Sequence, residues 1–119
     1  MRETVTLTEL VARGLELQRN GLHETAAELL AVAADLAEEQ ALGPGSRVRA
    51  RLLRAAMRRS LAMLWLESQG IIVHNIQATI PPERHRGERL VFRVWPTHGP
   101  SFLLVHRRGR WRRMRDDNR

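Results

Sequence analysis

"RRSLAMLWLESQGIIVHNIQATI", residues 58–80, changes its periodicity at Gly70, and that change decides the fold class. Before the glycine, apolar residues recur at helical spacing. After it, Ile72, Ile76, Ala78 and Ile80 take alternate positions with His74 among them, the pattern of one face of a strand. Helices that run out before the strands begin, rather than alternating with them, predict an α+β fold instead of a parallel α/β one.

Working back toward the N-terminus, "SQG" at 68–70 stops a helix that Ser46 can cap, giving a long third helix over about 46–69. On it, Val48, Leu52, Ala55, Ala56, Met63 and Leu66 share one apolar arc and Leu53, Met57 and Leu64 a second, so most of this helix is expected to be buried. "GPGS" at 43–46 cannot continue a helix and reads as a boundary and cap, with no strand and no lysine of a nucleotide-binding loop beside it. Upstream, Thr6 and Glu9 have capping-box spacing, and "NG" at 20–21 suits a helix end, placing a first helix over about 6–19. "LHETAAELLAVAADLAEEQ", 22–40, predicts a second helix with Ala26, Leu29, Leu30, Ala33, Leu36 and Ala37 on one face and acids on the other. The short connection makes residues 1–42 an acidic antiparallel helical hairpin.

Toward the C-terminus, "PP" at 81–82 ends the first strand. In "RLVFRVWP" the alternation sends Leu90, Phe92 and Val94 to the core and Arg89, Val91, Arg93 and Trp95 to the other face. "SFLLVHRR" reads as a third strand, and "RRGR" as a glycine-assisted turn into a short fourth strand at Trp111–Met114. Residues 71–115 thus predict a basic antiparallel meander of three or four strands, packed by one face on the third helix, within a single domain of 119 residues.

Charge narrows the partner class. Residues 1–45 carry three arginines against eight acids, and residues 46–119 carry 17 against five. Clustered guanidinium groups release counterions from a phosphate backbone, so the second part favours a polyanion, nucleic acid first, with DNA and RNA both open. Every basic residue is arginine. Bidentate phosphate contact and a GC-rich coding bias both produce that pattern, so it carries no functional weight. There is no cysteine, no apolar run long enough to span a membrane and no secretory pattern, which together lead one to expect a cytoplasmic protein without a membrane partner.

Two sets of residues are candidate nucleic-acid contacts. Arg47, Arg51, Arg54 and Arg58 fall on one stripe of the third helix, either along a phosphate backbone or as a solvated edge paired with Glu28, Glu38 or Glu39. Arg89, Arg93 and Trp95 on one strand, with Arg107, Arg110, Trp111, Arg112 and Arg113 on the last hairpin, combine guanidinium groups with aromatic planes, as single-stranded nucleic acid requires. Trp111 is open between a stacking platform and an edge cover, because a one-residue slip would reverse the faces. His74 reads as a core histidine. His23, His85, His98 and His106 lack metal-ligand spacing, and Ser46, Ser60, Ser68 and Ser101 lack a nucleophile context. No catalytic, metal or cofactor residues are assigned.

The stretch "LVARGLELQRNGLHETAAELLAVAADLAEE", with Gly14, Gly21, Ala26 and Ala33, resembles the helical hairpin of the small ANR and PerC bacterial transcriptional regulators. It is also similar to a tetratricopeptide unit, with no second copy. The first resemblance implies a regulatory role, with the hairpin serving a protein partner or self-association. "ERLVFRV" and "FLLVHRRGRWRRM" look like the last strands of the RelE and ParE toxins. That implies a messenger-RNA endoribonuclease in which Arg89 and Arg107 hold phosphate and Trp111 stands where those enzymes have a tyrosine. Three functions therefore compete: a non-enzymatic nucleic-acid-binding accessory or regulatory protein, a RelE-like ribonuclease, and an adaptor whose arginines meet an acidic protein.

Overall fold

A computed structural model describes residues 6–40, 44–79 and 90–116. Three helices, α1 (Leu7–Arg19), α2 (His23–Glu39) and α3 (Pro44–Ser68), precede four strands, β1 (Val73–Ala78), β2 (Leu90–Pro96), β3 (Phe102–Arg107) and β4 (Arg110–Arg115). The α+β order expected from the periodicity change is the one found. The chain forms two compact units, residues 1–64 and 65–119, whose division falls inside α3. Among the described residues no helix is long and apolar enough to cross a membrane.

The helical unit is built by its caps and its small residues. Thr6 Oγ1 accepts from the Glu9 amide at 3.1 Å and starts α1. At its end the Leu22 amide donates to the Leu17 carbonyl and the Gly21 amide to that of Gln18, so the chain reverses directly into α2. α3 begins two residues before the expected Ser46, with Pro44 in its first turn, where a missing N–H leaves no bond unmade. The core joins Leu30, Ala33, Ala34, Ala37, Ala50 and Leu53, with Leu10, Val11, Ala56 and Met57 packed against it. Leu53 and Met57 of one apolar arc and Ala56 of the other thus pack on the hairpin, while Val48 and Leu52 are 51% and 66% exposed. The rotation of α3 is held by polar anchors: Gln18 Nε2 donates to the Ala56 carbonyl (2.8 Å) and to the buried Ser60 Oγ (2.7 Å).

Gly14 sits where α1 lies close against Leu30 of α2. A Cβ built there would lie 2.9 Å from Leu30 Cδ2 and 3.0 Å from its Cγ, and Leu30 is fully buried. Overpacking of this kind costs about 1–3 kcal/mol, against a helix-propensity gain of about 1 kcal/mol for alanine over glycine. Gly14→Ala is therefore expected to lower stability by about 1 kcal/mol in urea unfolding, where an exposed helical glycine would raise it.

α3 ends as its sequence predicts. Gly70, at φ +72°, takes a left-handed conformation that a side chain would resist, its amide bonded to Glu67 O and that of Ile71 to Leu66 O. The chain then enters a meander of order β1-β2-β3-β4, antiparallel throughout. A bulge between Val73 and Asn75 shifts the register of β1. Ile76 is buried, but Ile72 is 70% exposed and His74 is exposed, so the expected run of Ile72, His74, Ile76 and Ala78 on one buried face is not what forms. The extra residue of the bulge separates Ile72 from Ile76, and His74 is not a core histidine. Ile80 lies outside the described residues.

Candidate nucleic-acid interface

Cross-strand partners share a face, so the register assigns every strand residue. Phe92, Val94, Phe102, Leu104 and His106 lie on one face with Trp111, Arg113 and Arg115; Val91, Arg93, Trp95, Leu103, Val105 and Arg107 lie on the other with Arg110, Arg112 and Met114. The expected single face carrying arginines and both tryptophans does not exist. Trp111 sits opposite His106, ring centroids 4.5 Å apart, and 6.2 Å from Phe92. It is half-buried and lies on the face that carries Phe92.

The second face is also not a solvated basic surface. Val91, Leu103 and Val105 are buried there as a cluster, with Met114 against them. The signal was in "FLLV", an unbroken apolar run, which marks a strand covered on both sides. Arginines are consequently displaced to the two ends of this face. At one end Arg93 Nε lies 3.1 Å from Asp116 Oδ2, an ion pair whose N–H is not aligned for a hydrogen bond. The Asp116 side chain is 3% exposed and also accepts from Ser101 Oγ at 3.1 Å. A buried carboxylate needs its cation. Arg93 is thus engaged within the sheet, paired with Asp116 and half-buried.

The other end is the β3–β4 hairpin. Arg107 and Arg110 stand directly opposite each other across it, with Arg112 two residues along on the same face, and all three are exposed. The two-residue turn Arg108–Gly109 has positive φ at both positions, +50° and +76°, the handedness that matches twisted strands. Arg108, exposed at the tip, was absent from the sequence-derived candidates although "RRGR" pointed to the turn. From residue 107 to 115 the chain holds six arginines and no acid.

On α3, Arg47 and Arg51 are exposed and Arg58 is half-buried. Arg54 is bound to the hairpin acids: its Nη2 lies 2.8 Å from Glu38 Oε2 and 3.1 Å from Asp35 Oδ1. It follows the solvated-edge reading, with Asp35 an unforeseen partner. Hydrogen bonding to Arg54 holds the Glu38 carboxyl below its ordinary value, and the same contacts raise the Arg54 pKa. Because the folded-state pKa of Glu38 is lowered, the pair stabilises above the ordinary glutamate value near 4.3 and loses that contribution as the pH falls through the lowered one. Stability of Glu38→Gln against the parent should therefore differ at neutral pH and converge in acid, with melts at several pH values as the check. Arg89 lies outside the described residues. Among those described, no group of His, Asp and Glu could hold a metal.

No protein-family model, curated protein or solved structure matches this chain.

Proposed function

We propose that the protein is a small non-enzymatic nucleic-acid-binding accessory or regulatory protein of the cytoplasm whose phosphate-gripping element is the β3–β4 hairpin. One observation carries the reading: the hairpin places an arginine at a strained turn position. Arg108 occupies a left-handed position where asparagine or glycine would be relaxed. Local strain of this kind concentrates where a chain works, and the register gathers Arg107, Arg110 and Arg112 on one exposed face beside it. Exposed Arg47 and Arg51 supply further positive charge, and the resemblance to ANR and PerC hairpins supports a regulatory setting with a protein partner for the acidic α1–α2 pair.

The reading is tested by fluorescence anisotropy with duplex DNA, single-stranded DNA and single-stranded RNA over a range of salt. Saturable binding with a steep log–log dependence on salt is expected, at about 0.7–0.9 of a unit per phosphate contact. Flat or absent binding would overturn it in favour of an acidic protein partner, and cleavage of the RNA would point to the ribonuclease alternative.

A further inference from the structure

We propose a second, independent anion site on the sheet face that carries Trp111: a cleft that takes a phosphate group between Arg113 and His98. The cleft has a volume of about 190 Å³ and is lined by the Gly70–Ile72 turn, Pro96, His98, Phe102 and Arg113. Three features make it a binding site rather than a crevice. The Arg113 guanidinium carbon lies 4.2 Å over the centre of the Phe102 ring. The ring attracts the cation, and the guanidinium brings five N–H donors to the cleft. Among the described residues no carboxylate pairs with Arg113, and the lining of the cleft contains none. An imidazole, that of His98, completes the lining as a second donor. The larger neighbouring cavity, about 350 Å³, also has Arg113 in its wall but includes the Asp116 carboxylate, which repels an anion. A guanidinium over an aromatic ring and an imidazole in the same lining, around a space of this size, fit a single tetrahedral oxyanion with part of the group that carries it.

The site does not depend on the hairpin binding nucleic acid, since Arg113 and Arg107, Arg110 and Arg112 point to opposite faces. The probe is inorganic phosphate, titrated against the full chain by calorimetry in chloride buffer. Saturable binding near 1 mM is expected, the affinity of about two charge-assisted hydrogen bonds. Arg113→Met keeps a side chain over Phe102 and removes the donors, and should weaken binding at least tenfold with an unchanged melting temperature in chloride. Arg113→Lys keeps the charge but loses the planar fork of donors and should fall between. His98→Ala should weaken binding severalfold, while Arg59→Ala on α3 should leave it unaltered. A single-stranded oligonucleotide with and without a 5′-phosphate separates the sources: a 5′-phosphate preference lost in Arg113→Met assigns the site to strand ends. Phosphate binding without that preference assigns it to a small phosphate ester. Absent saturable phosphate binding, or equal affinity in parent and Arg113→Met, overturns the proposal, whatever the hairpin variants do.

Discussion

Replacing Arg107, Arg108, Arg110 and Arg112 together by alanine is expected to weaken nucleic-acid binding by roughly 100- to 1,000-fold near 0.1 M salt and to reduce the salt slope by about 3–4 units on duplex DNA. All four side chains are exposed on one hairpin, so their removal leaves the buried clusters of the sheet intact. Circular dichroism should show an unaltered fold, and the loss is then electrostatic. Arg108 offers a sharper version of the test. Its φ of +50° is a conformation in which asparagine is far more at ease. Arg108→Asn should therefore raise stability by about 1 kcal/mol while lowering the salt slope by about one unit. Opposite signs in stability and affinity would identify an arginine kept for contact rather than for folding. If both change in the same direction, or if the fourfold variant binds as the parent does, the hairpin is not the gripping element.

The second large effect concerns stability. Arg93→Met should lower the unfolding free energy by about 2–4 kcal/mol, because it removes the guanidinium that lies 3.1 Å from the buried Asp116 carboxylate. In a unit of this size that corresponds to a fall in melting temperature of about 10 °C or more. Asp116→Leu in the Arg93→Met background should recover most of the loss, since two apolar groups make no unpaired charge. A double-mutant cycle in urea measures the coupling directly. The double variant should keep the parent's salt slope, as befits an arginine that serves the sheet. A neutral Arg93→Met would show that the ion pair is not what holds this end of the sheet.

The helix ends and the turn were legible in the sequence because they are local. Thr6, Gly21, Gly70 and Arg108–Gly109 each act through backbone bonds or dihedrals within a few residues, and each stands where the pattern places it. The change of period at Gly70 was sufficient for the α+β class for the same reason. Reading failed where a decision required a partner distant in the chain. On α3 two apolar arcs competed, and residues of both, Leu53, Met57 and Ala56, pack in the core while Val48 and Leu52 do not. In β1 a single bulged residue moved Ile72 and His74 out of the expected face.

The arginine-rich C-terminal stretch shows the division most clearly. Composition alone determines that residues 107–115 concentrate positive charge without an acid and that a glycine lets them fold back as a hairpin. Tertiary pairing decides that Trp111 and Arg113 lie against Phe92 and Phe102, that Arg93 neutralises Asp116, and that Arg107, Arg110 and Arg112 gather on the opposite face. Register is a property of two strands together: moving either by one residue exchanges every side chain between the faces while the sequence stays the same.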